Sequence, residues 1–387
     1  MKILVVTDIY FPRVSGVTQI IDQTYSHLLK DKAVSEVIVL CKFQPDQDNS
    51  QDIVNGIKIK RFKNKNILGG RIMIPSVDMF RQVNQILNDF SPDQVHFHGR
   101  FSVVNPFALL VSKIKGYYTV HVDHMAGFVN GEKTWLVVAS WFWDQTFGRF
   151  MMIANDRIVG VSVSDQKFLI QKLGAKKSKT FAIENGCAIE PSKTTFAQKF
   201  KRKKKFNLFY ASRFVATKNP LLVVKAIDIL RKNHPQLNFK LTLAGEGKLK
   251  NQVVDYIKNQ KLEKYIDYVG KLPHSKMLTQ FQKSDIFLNP TNIEGLPGGV
   301  LEALFNTNIV IVTDIGGNKD VIKTSCLRIP KKDLTATVLS KKIYYAIINS
   351  KKLIPSLQKN KDWAVDHFTW ENVVRKYKKF ILNKTSN

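Results

Sequence analysis

Short runs of apolar residues recur along the whole chain, separated by longer stretches in which apolar residues return every three or four positions. The short runs predict β-strands and the longer stretches predict amphipathic helices. Runs rich in Val and Ile that lack strict polar alternation are typical of strands covered on both faces, as in a parallel sheet. In the first half of the chain, strands are predicted at 3–7, 37–41, 57–62, 94–98, 118–122 and 157–161.

The same pattern begins again in the second half, with strands predicted at 206–211, 241–244, 265–269, 286–288 and 309–312. Repeated strand–helix units favour doubly wound α/β domains, and 387 residues exceed one ordinary core. We therefore predict two α/β domains joined by an exposed basic linker and followed by a terminal helix. Their expected bounds are 1–187, 188–205 for the linker, 206–365, and 366–387 for the helix.

The charge balance is strongly basic, with 60 Lys and Arg against 31 Asp and Glu and a formal net charge of +29. It predicts attraction to polyanions, whether nucleic acid, an anionic membrane face or phosphorylated substrates. The sequence has no helix-turn-helix signature, zinc-ligand spacing or aromatic–basic RNA motif, so we predict no specific nucleic-acid partner. A basic nucleic-acid-binding protein remains an alternative that the charge alone would favour.

The three cysteines, Cys41, Cys187 and Cys326, are far apart and odd in number. They indicate neither a disulfide framework nor a zinc site, and they fit a reducing compartment. The first apolar run is too short for a signal peptide, and no run approaches the roughly 18 residues of a spanning helix. We expect a cytoplasmic protein that is soluble or lies peripherally at the inner face of the cell membrane.

The loop after the predicted strand 286–288 combines two carboxylates with three glycines. In open α/β sheets, ligands bind at the carboxyl ends of strands, and a helix starting near Gly298 would leave unpaired amides that suit an anion. An ordinary α/β crossover with two solvated glutamates is the alternative on the residues alone. The candidate ligand-facing residues are Glu294, Gly295, Leu296, Pro297, Gly298, Gly299 and Glu302.

A second candidate loop lies between the strand that ends near Ser212 and the helix that begins near Pro220. It carries Arg213 and Lys218, and two cations beside a helix amino end suit a diphosphate that gains charge when its glycosyl bond breaks. Without further context, the favoured interpretation is two surface cations in a basic chain.

These residues resemble the motifs of the family-4 retaining glycosyltransferases, which have the GT-B fold. Glu294 and Glu302, with seven residues between them, resemble the E-x7-E motif, and 212–219 resembles G-R-x-x-x-x-K-G with Ser212 and Asn219 in place of the glycines. The resemblance implies that Arg213 and Lys218 bind the donor diphosphate. It implies further that Glu294 binds the transferred sugar and that Glu302 binds the donor ribose.

Further matches extend the resemblance over the chain. Gly245 and Gly247 resemble the G-x-G turn near the nucleotide base, Gly16 resembles the glycine of P-x-x-x-G-V near the sugar and diphosphate, and His121 resembles the histidine of T-x-H beside the sugar. Cys187 and Ala188 depart from the N-G-V-D segment, and Asp320 stands where glutamate is usual, so these three positions receive no role.

The family resemblance implies two Rossmann-like domains that face a central cleft, with the terminal helix crossing back to the first domain. It implies a metal-independent transferase without a cofactor, which moves a sugar from a nucleotide-diphosphate donor to a glycan or lipid-linked acceptor in cell-envelope or polysaccharide synthesis. A GT-B-like binding module without activity is the remaining alternative.

Histidines and aromatic residues raise two further questions. His96 and His98 share one strand face, as in metal-dependent amidohydrolases, but two α/β domains argue for a buried structural pair. His121 and His124 would lie on opposite faces of a continued strand. The segment 133–152 is rich in Trp and Phe, with Lys133 and Arg149 nearby, which predicts either deep burial or contact with an anionic membrane surface.

Overall fold

The structure is a computed structural model that describes residues 1–13, 15–43, 52–63, 65–67, 72–74, 76–125, 127–128, 134–187, 189–201, 203–294 and 297–383. The chain forms two compact units. The first comprises Met1–Gly186 together with Trp370–Asn387, and the second comprises Cys187–Thr369. Each has a parallel sheet with its own apolar core, as the alternation of strands and helices predicts.

The main sheet of the first unit has the order β10-β9-β8-β7-β1-β2-β4-β3, and its pairs are parallel except for β3 with β4. Parallel pairing brings the carboxyl ends of β1, β7 and β8 to one edge. A separate antiparallel pair joins β5 to β6. The strands are β1 (Lys2–Val6), β2 (Glu36–Lys42), β3 (Ile53–Val54), β4 (Ile57–Phe62), β5 (Lys65–Ile67), β6 (Ile72–Ile74), β7 (Gln94–His98), β8 (Tyr118–Asp123), β9 (Arg157–Gly160) and β10 (Thr180–Ala182).

Helices cover both faces of this sheet, which is why its strands read as continuous apolar runs. Ser15 caps the first helix by accepting a hydrogen bond from the backbone N–H of Thr18 at 3.1 Å. A π-helical turn, Asp144–Gly148, joins the fourth helix to the fifth. The helices are α1 (Gly16–Lys30), α2 (Val77–Phe90), α3 (Val104–Ile114), α4 (Thr134–Trp143), α5 (Arg149–Ala154) and α6 (Val163–Leu173).

The second unit has a parallel sheet in the order β13-β12-β11-β14-β15-β16. Its strands are β11 (Phe206–Ala211), β12 (Phe239–Ala244), β13 (Ile266–Gly270), β14 (Ile286–Asn289), β15 (Ile309–Thr313) and β16 (Arg328–Ile329). Its helices are α7 (Phe196–Phe200), α8 (Pro220–Asn233), α9 (Lys250–Asn259), α10 (His274–Lys283), α11 (Gly298–Phe305), α12 (Gly316–Val321), α13 (Ala336–Ile348) and α14 (Ile354–Phe368).

The segment 188–205, interpreted from its charge as an exposed linker, belongs to the second unit instead. Its short helix α7 buries Phe196 and Phe200 completely, and the ring of Phe200 stacks near that of Phe206 at 6.1 Å. Thr195 and Gln198 form a capping box that starts the helix. Burial of two phenylalanines outweighs the cost of the surrounding lysines. The ammonium of Lys199 on this helix donates to the backbone oxygen of Asn306 at 3.2 Å and to Asn308 Oδ1 at 2.7 Å.

The last helix, α15 (Trp370–Tyr377), returns to the first unit, as predicted. Val373 and Tyr377 enter the core beside α1, and Lys376 pairs with Glu184 at 2.5 Å. Gly186 packs so closely on Trp370 that an added Cβ would lie 2.5 Å from the indole ring. The terminal segment therefore completes the first domain rather than the second.

Candidate functional site

Two loops meet at the carboxyl edge of the second sheet because the strands that precede them, β11 and β14, are neighbours. The backbone oxygen of Thr217 accepts hydrogen bonds from the Asn292 N–H at 2.8 Å and from the Thr291 hydroxyl at 3.0 Å. The Asn219 amide donates to the oxygen of Pro290 at 2.7 Å. These bonds hold the predicted cation loop against the predicted carboxylate loop.

The hydrogen bonds between the two loops bring Lys218 and Glu294 together. The Lys218 ammonium lies 2.8 Å from Glu294 Oε2, with the two side chains 19% and 17% exposed. Arg213 lies on the same loop and is exposed. Gly295 and Leu296, also predicted as ligand-facing, lie outside the described residues.

The two departures from the glycines of the cation loop have different consequences. Asn219 adopts a left-handed conformation, with φ 54°, and starts helix α8. Asparagine tolerates this region better than most residues, so it can replace glycine there at modest cost. Ser212 donates its backbone N–H to Ala244 at 3.2 Å, as an ordinary continuation of the β11 pairing with β12.

Gly245 and Gly247 support this loop from the neighbouring strand end. A Cβ at Gly245 would lie 1.9 Å from the backbone oxygen of Ser212, and one at Gly247 would lie 2.6 Å from that of Phe214. Both glycines also have positive φ, which other residues rarely adopt. Their spacing is therefore explained by close packing against the loop that carries Arg213.

Helix α11 begins directly after the carboxylate loop, with Pro297 buried at its N-cap position. A Cβ at Gly298 would have nothing within 4 Å, and one at Gly299 would touch the ring of Phe287 at 3.5 Å. The side of the first turn that carries Gly298 thus has room for a group to approach the unpaired helix amides. Gly316, which received no role from sequence, packs against Glu294 from the next helix, with a Cβ position 2.1 Å from its backbone oxygen.

Glu302 lies further along α11 and is 7% exposed. Its Oε1 is 2.8 Å from His274 Nε2, at the start of α10. The hydrogen bond to Glu302, with its negative charge, raises the pKa of His274 above 6.5 against the opposing effect of burial. The sequence carries no signal for this pair, because the two residues are 28 positions apart on different helices.

In the first unit, a cavity of about 310 Å³ opens at the carboxyl edge of the sheet. Its lining includes Asp8 after β1, Ser102 after β7, and Asp123 and His124 at the end of β8. The Ser102 hydroxyl donates to Asp8 Oδ1 at 2.7 Å. Burial raises the pKa of Asp8 to about 6, although this hydrogen bond and the charge of Lys42 oppose the rise. Sequence reasoning assigned no role to Asp8.

The two predicted first-domain residues take different positions. Gly16 begins α1, and a Cβ there would have nothing within 4 Å. His121 is completely buried, with its Nε2 3.8 Å from Asp123 Oδ1, and it is not among the residues that line the cavity. The histidines that line it are His98 and His124. His121 therefore stays a prediction, whereas His124 is placed beside the space.

A buried arginine connects this edge to the aromatic segment. Arg100 pairs with Asp123 at 2.5 Å and with Asp144 of the π-helical turn at 2.9 Å, and all three side chains are buried. The indole N–H of Trp143 donates to the backbone oxygen of Arg100 at 2.8 Å. Two buried carboxylates contact one guanidinium here, so the cluster is a structural brace between β8 and the π-helical turn that follows α4.

The aromatic segment is divided between the two alternatives that its sequence allows. Met151 and Met152 are completely buried, but Trp135 and Phe142 are more than half exposed and Trp141 nearly so. Lys133 lies outside the described residues. Neighbouring helix α3 adds exposed Leu110 and Ile114. An apolar face of this kind marks an interaction surface.

The described residues contain neither a candidate metal site nor a membrane-spanning helix. Within that part of the chain, no group of three or more His, Cys, Asp or Glu side chains is placed to hold a metal ion. None of its helices combines the length and apolar character required to span a bilayer.

Comparison with known proteins agrees with the geometry of the second unit. Residues 191–361 match the family described as Glycosyl transferases group 1, and residues 14–190 match Glycosyltransferase Family 4. An uncharacterized glycosyltransferase of Methanocaldococcus jannaschii is 22% identical over 98% of this chain and 98% of its own. The capsular polysaccharide biosynthesis glycosyltransferase CapH of Staphylococcus aureus is 32% identical over 44% of this chain and 46% of its own. The crystal structure of Anabaena HepE with UDP has a TM-score of 0.74 at 15% identity, covering 97% of this chain and 98% of that one.

Proposed function

Since the chain belongs to the family-4 glycosyltransferases of GT-B fold, we propose that it is a retaining, metal-independent enzyme that uses a nucleotide-diphosphate sugar. The observation that carries this proposal is the hydrogen-bonded pair of loops that places Lys218 beside Glu294, next to the open first turn of α11. HepE, whose crystal structures contain UDP and UDP-glucose, is similar over nearly the whole chain and supports a donor of this class.

In the proposed reaction, an acceptor hydroxyl attacks the anomeric carbon on the face from which the diphosphate departs. The bond between the sugar and the diphosphate breaks, and the hydroxyl proton passes to the departing phosphate oxygen. Arg213 and Lys218 neutralise the charge that develops on that diphosphate, where preorganised cations are most effective. The amides at the start of α11 add partial positive charge to the same region.

The two glutamates have separate roles in this proposal. Glu294 accepts hydrogen bonds from hydroxyls of the transferred sugar, and Glu302 accepts them from the donor ribose. Glu302 is 7% exposed and already oriented by His274, so little side-chain entropy is lost when the ribose binds.

A thermal-shift screen against UDP-, GDP- and ADP-linked sugars tests the donor class. At least one donor should raise the melting temperature of the wild type, and Lys218→Ala should remove that rise. Lys232→Ala is the matched control, since it also breaks an ion pair, with Asp228 at 2.7 Å, but in the last turn of helix α8, at the opposite end from the loop. If no nucleotide sugar stabilises the wild type, the proposal fails.

We further propose that the acceptor is a glycan or lipid-linked sugar of the cell envelope, reached at the cytoplasmic face of an anionic membrane. The name of CapH supports a role in surface polysaccharide synthesis. Between 134 and 154 the single acidic residue, Asp144, is buried against Arg100, so the exposed aromatic face presents no negative charge. Two lysines lie near its end: Lys179 donates to the oxygen of Ile153 at 2.7 Å, and Lys113 pairs with Asp156 at 2.8 Å, which offsets its charge.

Co-sedimentation with liposomes of phosphatidylglycerol and phosphatidylcholine tests the membrane contact. Trp141→Ser with Phe142→Ser should release the protein, because these side chains are exposed. Trp143 is left intact, since its indole holds Arg100. Tyr345→Ser with Ile348→Ser, an exposed apolar pair on α13 of the second unit, is the control and should still sediment. Absence of wild-type sedimentation at low salt would refute the contact.

A further inference from the structure

An unbroken series of hydrogen bonds runs through the interior of the first unit to the cavity. We call it the histidine chain, and it passes through Ile381, Gln94, His96, Tyr25, His98 and His124. It begins at a backbone oxygen of the terminal segment, crosses β7 and α1, and ends at the cavity beside β8. Its five links measure 3.0, 2.8, 2.8, 2.8 and 3.0 Å in that order.

The hydrogen bonds in the first half of the histidine chain allow a single consistent set of donors. The Ile381 carbonyl oxygen can only accept, so the Gln94 amide nitrogen donates to it and the Gln94 amide oxygen faces His96. His96 Nε2 therefore carries a proton and donates to that oxygen. In a neutral ring the other nitrogen, Nδ1, is then bare and accepts from the hydroxyl of Tyr25.

The second half follows from the same rule. Because the Tyr25 hydroxyl donates its only proton to His96, its oxygen accepts a hydrogen bond from His98 Nε2, which must therefore be protonated. His98 Nδ1 is then bare and accepts from His124 Nε2. His124 consequently has its proton on Nε2 and a bare Nδ1. One backbone carbonyl thus determines the tautomer of an imidazole at the carboxyl edge of the sheet.

Burial keeps the rings neutral, which the deduction requires. It lowers the pKa of His96 to about 3, and burial together with the neighbouring His124, His96 and His121 lowers the pKa of His98 well below 6.5. A doubly protonated His98 would reverse the last link, but this form is disfavoured throughout the physiological pH range.

The end of the chain lies at the cavity that contains Asp8 and Ser102. His124 Nδ1 is buried and has no hydrogen-bond partner among the residues that the structure describes. An unpaired buried acceptor destabilises the fold, so a donor from a ligand would be favoured there. A sugar hydroxyl has the required proton and fits a cavity of about 310 Å³.

We propose that the histidine chain holds His124 as the tautomer with a bare Nδ1, and that this nitrogen accepts a hydrogen bond from a sugar hydroxyl bound in the cavity. The ligand half of this inference rests on the proposed glycosyltransferase function. His124 orients the hydroxyl without taking its proton, because the pKa of His124 is low. Burial lowers it to about 4, the charge of Asp123 opposes this change, and His121 adds to it. The other members of the chain are positioning residues.

Nitrogen-15 NMR of histidine-labelled protein tests the tautomer directly, because protonated and bare ring nitrogens resonate in separate ranges. The protein has eight histidines, and comparison with His124→Gln assigns the His124 signals. In the unliganded wild type, Nε2 should show the protonated type and Nδ1 the bare type. The reverse pattern, or an average of both, overturns the tautomer assignment whether or not the protein has transferase activity.

Tyr25→Phe breaks the chain and should let His124 exchange between tautomers. Tyr117→Phe is the matched control, since it removes another hydroxyl of the first unit, which donates to Leu87, and should leave the His124 signals unchanged. Because the wild-type spectrum is itself decisive, the test survives if Tyr25→Phe does not fold. A static tautomer in folded Tyr25→Phe would contradict the positioning role.

Titration with glucose, galactose and N-acetylglucosamine tests the ligand half. At least one should move the His124 Nδ1 signal, and Tyr25→Phe should weaken that binding roughly 2- to 10-fold, as expected for one misaligned hydrogen bond. If none of the three sugars moves the signal, the ligand assignment is wrong. Donor-induced thermal stabilisation is measured separately, so its failure identifies an error in the proposed function instead.

Discussion

Replacing Glu294 with Gln would separate the two roles proposed for this carboxylate. Its Oε2 is 2.8 Å from the Lys218 ammonium, and both side chains are more than four-fifths buried. Glutamine keeps the shape and one accepting oxygen but removes the charge. Lys218 would then have its full charge available for the diphosphate, while the sugar would lose a charged hydrogen-bond acceptor.

The two effects have opposite signs and can be estimated. Exposed ion pairs contribute about 0.2–1 kcal/mol, and two charges 4 Å apart at an effective dielectric of 20 interact by about 4 kcal/mol. The interaction of this largely buried pair lies between these values, at about 1–2 kcal/mol, which predicts roughly 5- to 30-fold tighter nucleoside diphosphate binding. Losing a hydrogen bond to a charged group, worth about 1.5–3 kcal/mol, predicts a kcat lower by roughly 10- to 150-fold.

Calorimetric titration with UDP, GDP and ADP gives the binding change, and initial rates of donor hydrolysis or transfer give kcat. Lys218→Ala and the double variant complete the cycle. Without Lys218, the Gln substitution should no longer tighten diphosphate binding. Glu36→Gln, which breaks the exposed pair with Lys58, is the control and should change neither quantity.

The two opposed changes make this substitution informative. Weaker diphosphate binding in Glu294→Gln would mean that the carboxylate helps to hold the diphosphate rather than competing for Lys218. An unchanged kcat would mean that Glu294 does not contact the transferred sugar in the transition state.

Three further outcomes are expected. His274→Ala should lower the melting temperature more at pH 6 than at pH 8, because the raised pKa of His274 stabilises the fold below pH 6.5 and this contribution is lost as His274 deprotonates at higher pH. The corresponding loss of unfolding free energy should be less than about 1 kcal/mol, since the His274 side chain is 46% exposed. Gly245→Ala should cost at least about 1–3 kcal/mol in urea unfolding, more than Gly174→Ala, which has positive φ but open space. Phe200→Ala should cost about 3–5 kcal/mol, and a loss under 1 kcal/mol would restore the linker interpretation.

The strands and helices were predictable because each depends on neighbours in sequence. Strands β4 and β7 have the predicted bounds, 57–62 and 94–98. The position of Glu294 after β14 and of Lys218 after β11 also follows from the pattern, since parallel strands end at one edge. His96 and His98 form the buried structural pair predicted from the two-domain pattern.

Local sequence misled where burial decided the outcome. The basic character of 188–205 indicated a linker, but two phenylalanines on one side of α7 place it in the core. The aromatic segment allowed burial or exposure, and its methionines are buried while Trp135 and Phe142 are not. Charge density and aromatic content do not specify which face of a helix meets the rest of the protein.

The spacing of apolar residues was enough to predict two α/β domains, a terminal helix and the loops that carry Arg213, Lys218 and both glutamates, and the family resemblance implied that the helix returns to the first domain. Tertiary structure alone decided which side chains meet: Lys218 with Glu294 across 76 positions, His274 with Glu302, and the histidine chain that ends at His124. The physical reason is that strand and helix periodicity is a property of neighbouring residues, whereas a hydrogen bond between distant residues depends on how the strands are ordered in the sheet. The residues that line the cavity include His124, whereas the role of His121 stays a prediction.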